Sequence, residues 1–338
     1  MRRKVRTFTR LLLPALLFLV AAASAQDYKI RAKVDLVVVP VTVKGLGDKL
    51  ISGLSKNDFV VLEDGRPQAI TNFSNDPVPL SAAVVVDSGL APGTLSKIQQ
   101  TFSSLAGSFS ESDEVSLYRY DKFVTKVLDF SADAERVETA MKTMRDLKPD
   151  TPLQPNAPGG PFSIPGPVIN GAAVVPPGQL GVIVTSPPKA TKVLNDAIFA
   201  AASDLSKRER NRRRIVLVIS DGQNSGNDHS FDETTKNLLQ TGIQVYAIGL
   251  DQPFPFKKFS VLDDYAKATG GDVYFVGSIQ NIEKAYMSAT EEARNQYVLA
   301  YLSNNEIHSA DPVFRDIAVQ IASGNLKTLH RKGYYQYP

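Results

Sequence analysis

Three short, near-continuous apolar runs, residues 82–86, 215–219 and 243–248, set the tightest limit on what this chain can fold into. A strand that is apolar at nearly every position is buried on both faces, and such strands belong to mostly parallel sheets covered by helices. Helical periodicity fills the intervals. Leu95, Ile98, Phe102, Leu105 and Phe109 recur at spacings of three and four, as do Leu194, Ile198, Ala201 and Leu205, and again Ile282, Ala285, Ala289 and Ala293. Val115, Leu117 and Arg119, followed by residues 124–130, predict two more strands with a short antiparallel connection. Strand–helix alternation over residues 79–293 predicts a doubly wound, mostly parallel α/β sheet of Rossmann-like type.

The flanks read differently. Residues 26–78 are β-rich: Val34 to Val39, Val41-Thr42-Val43, Phe59-Val60-Val61-Leu62 and Ala69-Ile70-Thr71-Asn72-Phe73 carry the β-branched and aromatic residues of strands. Glu63-Asp64-Gly65-Arg66 between two of these runs is a hairpin signal. Residues 294–338 return to β character at 297–301, 314–321 and 327–335. Neither flank is large enough to bury a good core alone. The simplest arrangement pairs them as one small β-sandwich into which the α/β domain is inserted; two separate β appendages are the alternative.

Residues 1–25 stand apart. Arg2, Arg3, Lys4, Arg6 and Arg10 precede an apolar stretch, residues 11–23, and Ala23-Ser24-Ala25 follows. This is the layout of a secretory signal peptide, cleaved near Ala25. The apolar stretch is shorter than the ~20 residues of a membrane span, and Pro14 interrupts it. The expected location is periplasmic or secreted, with no transmembrane span after cleavage. Cleavage removes five basic residues and no acidic ones, so 33 basic face 35 acidic residues and the net charge becomes −2 rather than +3. Charge therefore implies no nucleic-acid partner. The absence of cysteine excludes disulfides, thiolate zinc sites and cysteine nucleophiles, and three histidines (His229, His308, His330) are too few for a multi-histidine metal centre.

One segment breaks the α/β pattern. Residues 149–188 hold 11 of the 21 prolines and six glycines, with no charged residue between Asp150 and Lys189. Proline at that density forbids a long helix or central strand. The segment is expected to be an insertion, either a tolerated surface loop or a lid or partner-binding loop beside the candidate site. Gly181-Val182-Ile183-Val184 is its one strand candidate.

In open parallel sheets, ligands bind beyond the carboxyl ends of the strands, where strand order reverses. Asp87 ends Val84-Val85-Val86 and Asp221 ends Val218-Ile219-Ser220. If these strands are neighbours, the two carboxylates converge, an arrangement that favours a hard cation with oxygen ligands. Thr191, opening the preceding helix, brings a hydroxyl towards the same place. Equally, Asp87 can cap the next helix and Asp221-Gly222 can be a turn.

At these residues the chain resembles a von Willebrand factor type A domain: Pro79 to Asp87, Thr191-Lys192-Val193-Leu194-Asn195-Asp196-Ala197-Ile198, and Ile219-Ser220-Asp221-Gly222-Gln223-Asn224-Ser225. The flanking Leu54-Ser55-Lys56-Asn57-Asp58-Phe59, Leu62-Glu63-Asp64-Gly65, Thr269-Gly270-Gly271, Gln296 to Tyr301 and Arg331-Lys332-Gly333-Tyr334-Tyr335 resemble the type A-related proteins abundant in Acidobacteria. The resemblance implies a metal-ion-dependent adhesion site binding Mg²⁺ or Mn²⁺, whose open position accepts a carboxylate from a protein partner. By position, Asp87 is its loop aspartate, Thr191 its threonine and Asp221 its distant aspartate. The two serine positions hold Gly89 and Ala91, which supply no hydroxyl, and Ser88 is one residue out of register. Mg²⁺ requires about six oxygens. The expectation is a degenerate metal site (Asp87, Ser88, Thr191, Asp221) on an intact protein-binding scaffold.

Other constellations carry less. Residues 207–214 form the densest basic run, expected to face water at a helix end, with docking to an acidic surface or lipid head groups as the alternative. No G-x-S-x-G elbow or phosphate-cradling loop appears, and His229 has no recognisable serine nucleophile. The chain reads as a non-enzymatic adhesion or assembly module with an unidentified protein partner. The alternatives are a metal-independent module binding through the Pro/Gly segment or a β-edge, and a hydrolase with an unrecognised site.

Overall fold

The computed structural model describes residues 36–145, 168–169, 172–173, 191–250, 260–306, 309–322 and 326–338. The expected signal peptide and the strand candidate at residues 181–184 lie outside the described residues. No described helix is long and apolar enough to cross a membrane.

The three apolar runs become the middle of a six-stranded sheet. Its strands are β5 (Leu80–Asp87), β6 (Glu114–Tyr120), β7 (Val124–Ser131), β10 (Arg213–Ser220), β11 (Gln244–Leu250) and β12 (Val273–Val276), in the order β12-β11-β10-β5-β6-β7. All neighbours are parallel except β6 and β7, which form an antiparallel edge. Alternate residues of β5 enter opposite layers. Leu80, Ala82, Val84 and Val86 pack with α1 (Pro92–Gln100), α2 (Phe102–Ala106), α3 (Ala134–Arg145) and α7 (Ile279–Arg294). Ala83 and Val85 pack with α4 (Leu194–Leu205), α5 (Phe231–Thr241) and α6 (Val261–Thr269). Every residue of β5 is buried.

From β5 the chain runs one way to β6 and β7 and later the other way to β10, β11 and β12. The strand order therefore reverses between β5 and β10, as a doubly wound, Rossmann-like sheet requires. The single helical stretch expected over residues 95–109 is two helices. Thr101 interrupts it, its hydroxyl donating to the Ile98 carbonyl at 2.8 Å and paired with the Tyr286 hydroxyl at 2.9 Å.

Two four-stranded sheets hold the remaining strands. One has the order β15 (Lys327–Leu329), β1 (Leu36–Lys44), β13 (Tyr297–Leu302), β4 (Ile70–Ser74); the other β16 (Gly333–Gln336), β14 (Val313–Ile321), β2 (Phe59–Glu63), β3 (Arg66–Gln68). β1 pairs antiparallel with β13 and β15, and β14 pairs with β2. Val37, Val39, Val41 and Val43 of β1 share one apolar cluster with Phe59 and Val61 of β2 and Ile317 and Val319 of β14. The Asp64-Gly65 turn joins β2 to β3 with both residues at positive φ (48° and 76°), the two-residue hairpin geometry its sequence announces. Within the Pro/Gly segment, β8 (Val168–Ile169) pairs antiparallel with β9 (Ala172–Ala173).

The strand expected over residues 327–335 divides in two, because the chain changes sheet between β15 and β16. At the crossing, Lys332 N donates to the Ala268 carbonyl at 3.0 Å and Ile317 N to the Lys332 carbonyl at 2.7 Å. The crossing presses on the end of α6. Gly270 caps that helix at φ +82°, and a Cβ there would lie 2.4 Å from Arg331 N. Gly270→Ala combines a left-handed alanine with a backbone clash. It is expected to lower the unfolding free energy by about 2–4 kcal/mol in urea titration; an unchanged midpoint would contradict this packing.

The basic run departs from expectation in part: Lys207 and Arg210 are exposed, but four of its arginines are half-buried. Arg208 binds Glu114 through two nitrogens, Arg212 donates to the Leu80 and Ser112 carbonyls, Arg213 to the Ala293 carbonyl and Arg214 to the Thr241 carbonyl. Guanidinium groups suit this work because their forked donors satisfy helix-end, loop and strand-end carbonyls that would otherwise be orphaned. These arginines bond within the fold instead of serving as a water-facing basic patch.

Candidate functional site

Asp87 and Asp221 stand at the carboxyl ends of neighbouring strands, β5 and β10, and they converge. What lies between them is the ammonium of Lys192, 2.9 Å from Asp87 Oδ2 and 2.8 Å from Asp221 Oδ2. Each aspartate divides its oxygens the same way. Asp87 Oδ1 accepts from Gly89 N at 2.9 Å and Asp221 Oδ1 from Gln223 N at 2.9 Å, so one oxygen shapes the loop while the other holds the lysine. The turn reading of Asp221 thus coexists with convergence. Asp87 does not cap α1, whose N-cap is Ala91 with no side-chain bond.

Lys192 is aimed inward by its backbone. Ser225 N donates to the Lys192 carbonyl at 2.8 Å, Lys192 N to Ser225 Oγ at 3.2 Å, and Val193 N to the Asp121 carbonyl at 2.9 Å. Residues 191–193 are therefore stitched between the loop after β10 and the turn between β6 and β7. The lysine stem passes beside Gly89, where a Cβ would stand in ordinary contact with Lys192 Cε at 3.4 Å. Ser220 Oγ donates to Asp87 Oδ2 at 3.2 Å and is paired with the Tyr120 hydroxyl at 2.7 Å.

Of the remaining expected ligands, Ser88 is directed elsewhere. The Ser88 hydroxyl donates to the Tyr120 carbonyl at 2.9 Å, which turns it towards β6. The Thr191 methyl packs against Gly226. With Gly89 and Ala91 lacking hydroxyls and an ammonium in contact with both carboxylates, these residues do not fit Mg²⁺ or Mn²⁺. A divalent ion would have to displace a tethered cation already hydrogen-bonded to the same oxygens. No group of three or more His, Asp or Glu side chains placed to hold a metal exists among the described residues.

Electrostatics follow from burial. Asp87 and the Lys192 side chain are sealed (0% and 3% exposed), whereas Asp221 is 16% exposed. Burial pushes the Asp87 carboxyl up to about 6, against the opposing pull of the Lys192 ammonium.

Beside the triad, the loop after β10 is clamped to α4. Asn227 Oδ1 accepts from Asn195 N and Asp196 N (2.8 and 3.3 Å), capping the helix from another segment. Asn195 Oδ1 accepts from Asn224 Nδ2 at 2.7 Å and the Tyr265 hydroxyl at 2.8 Å. Asp196 accepts from His229 N and contacts His229 Nδ1 at 2.9 Å. His229 stacks on Phe199 with ring centroids 3.8 Å apart. Sequence reasoning passed over Lys192, Asn195 and Asn227. Their one signal is local: polar residues crowd the two segments, 191–198 and 219–229, that bracket the strand carrying Asp221.

No family model matches the chain, and no curated protein matches it. Solved structures with a similar fold include BatB from Bacteroides thetaiotaomicron (15% identity, 63% of this chain and 98% of that one, TM-score 0.43). Others are the SpRpn10 VWA domain (11%, 62% and 94%, 0.38) and manganese-loaded TRAP from Plasmodium vivax (10%, 82% and 99%, 0.42). The fold itself is defined by the strand order and its reversal between β5 and β10.

Two outcomes follow from the triad. Because the folded Asp87 carboxyl binds its proton more tightly than the ordinary 3.8, its contribution to stability is full below pH 3.8 and is lost as pH rises through about 6. The stability of the protein relative to Asp87→Asn should decline over that window, as read by thermal unfolding. Lys192→Met should raise the Asp87 titration further in carboxyl NMR and cost about 3–5 kcal/mol by leaving buried carboxylates uncompensated. A lower Asp87 midpoint in that variant would refute the assigned contact.

Proposed function

We propose that the chain is a non-enzymatic, periplasmic or secreted protein-binding module of the type A-like class, set into a small β-sandwich. On this reading it engages its partner at the carboxyl edge of the central sheet without a metal ion. The observation that carries the proposal is the Lys192 ammonium in contact with both Asp87 and Asp221. A tethered cation fixes the loops of this edge permanently, where a degenerate metal site would leave them dependent on a weakly held ion. The edge therefore keeps a preformed binding surface in the absence of metal, and preformed surfaces bind with a smaller ordering cost.

A contact residue stands beside the triad. Phe123 is 76% exposed at the turn between β6 and β7, the same turn whose Asp121 carbonyl receives Val193 N. A large aromatic presented on a rigid polar rim has the character of an interface anchor.

Calorimetric titration with Mg²⁺ and with Mn²⁺ up to millimolar concentration is expected to give no binding heat. The envelope protein retained by the immobilised mature chain should stay bound in EDTA and be lost with Phe123→Asp. Release by EDTA, or undiminished retention by Phe123→Asp, would overturn the reading.

A further inference from the structure

A second lysine lies between two carboxylates, far from the carboxyl edge. Lys44 ends β1, and its side chain is 3% exposed. Its nitrogen is 2.5 Å from Asp272 Oδ2 and 2.6 Å from Glu292 Oε2. Asp272, immediately before β12, is 20% exposed and uses its other oxygen to accept Val273 N at 3.0 Å. Glu292, on α7, is 2% exposed, and the Tyr274 hydroxyl donates to its Oε2 at 2.6 Å. Its Oε1 is buried without a hydrogen-bond partner among the described residues.

One cation shared by two carboxylates leaves an uncompensated negative charge in a dry site, an arrangement that costs free energy in proportion to its burial. Burial raises the proton affinity of Glu292, and the two carboxylates raise that of Lys44; the 2.6 Å contact of Oε2 with Nζ is what makes Glu292 the group placed to take up and hand on a proton. The three groups that convert an amine and a carboxylate into an amide thus meet at Lys44 Nζ: the nitrogen itself, an acceptor carboxylate and a proton carrier.

We propose that Lys44 and Asp272 become joined by an intramolecular amide bond, with Glu292 as the catalytic residue that carries the protons. Glu292 Oε2 takes a proton from the Lys44 ammonium, and the freed amine attacks Cγ of Asp272. The Nζ–Cγ bond forms and one Cγ–O bond breaks. The departing oxygen leaves as water, carrying the two protons that Nζ gives up, and Glu292 returns to its starting state. Ammonium plus carboxylate become amide plus water, with no change of oxidation state and no co-reactant. Fixed contact between the reacting groups supplies the rate, since well-oriented intramolecular partners reach effective molarities of about 10⁵ M and above. Replacing the ammonium and one carboxylate by a neutral amide removes two of the cluster's three ions and leaves its net charge unchanged.

The consequence is a covalent ring that closes over residues 44–272 in a chain without cysteine. Lys192 also touches two carboxylates, but the second oxygens of both accept backbone N–H groups, and neither carries the buried, unpartnered oxygen that Glu292 has.

Intact-mass spectrometry of the denatured mature chain tests the proposal, with Lys44→Arg as the mass reference for an uncross-linked chain. The wild type is expected to fall short of its sequence mass by one water. Trypsin should fail to cleave after Lys44, releasing a branched peptide that joins Lys44 to Asp272. Lys44→Arg and Glu292→Gln should both show full mass while keeping the far-UV circular dichroism of the folded protein. Full mass in the wild type, with free cleavage after Lys44, would overturn the proposal without recourse to any variant. So would loss of water that persists in Lys44→Arg or Glu292→Gln.

Discussion

β5 is sealed on both faces, so the carboxylate at its end has no route to water, and the carboxyl edge is organised around that fact. Asp87 obtains its partners from two other segments and its own loop: Lys192 from just before α4, Ser220 from β10, and Gly89. Each partner fixes a segment that would otherwise be free. The lysine reaches Asp221 as well, which draws the loop after β10 over the sheet, and the Asn195–Asn224–Asn227 bonds then fasten that loop to α4. Buried polar networks of this kind are costly when incomplete and rigid when complete. The preformed edge is the product of one inaccessible charge.

The layers were legible in the sequence because burial on both faces leaves a mark. Residues 82–86 and 215–219 can only be central strands, and the spacing of Leu194, Ile198, Ala201 and Leu205 can only be one helical face. The convergence of Asp87 and Asp221 follows from strand order. The identity of the cation between them does not follow, because a lysine that turns inward and one that faces water are the same letter. Only the backbone bonds of residues 191–193 decide the direction. β12 escaped notice for a different reason: its four residues, Val273 to Val276, are half-buried and too few to show a period. The capping box of α5, Ser230 with Glu233, is a signal that an argument from apolar spacing alone passes over. The half-buried arginines of the basic run misled because composition records charge but not the helix-end, loop and strand-end carbonyls that the charge serves.

Lysine between paired carboxylates recurs at two places that differ in kind. At the carboxyl edge the ammonium shapes a surface, with one carboxylate at the rim. At the junction of β1 with β12 and α7 it lies within the fold and fastens a terminal sheet to the central one. Buried Glu63 repeats the logic without a cation, accepting from Tyr301, Ser303, Asn305 and Tyr334 across both terminal sheets. Acidic groups placed where strands end are used throughout to tie elements distant in sequence.

The pairing of β1 with β13 and β15 sets the order in which the molecule can be completed. Its partners are made more than 250 residues later, so a ribosome delivers four inward-facing valines long before anything exists to cover them. Contacts of such high sequence separation form slowly and leave sticky surface in the meantime. The central sheet, whose strands and helices arrive in succession, can assemble while β1 still waits. The earliest strand of the described chain is therefore among the last to find its place, and a cell producing this protein must keep that strand from other partners until the final residues emerge.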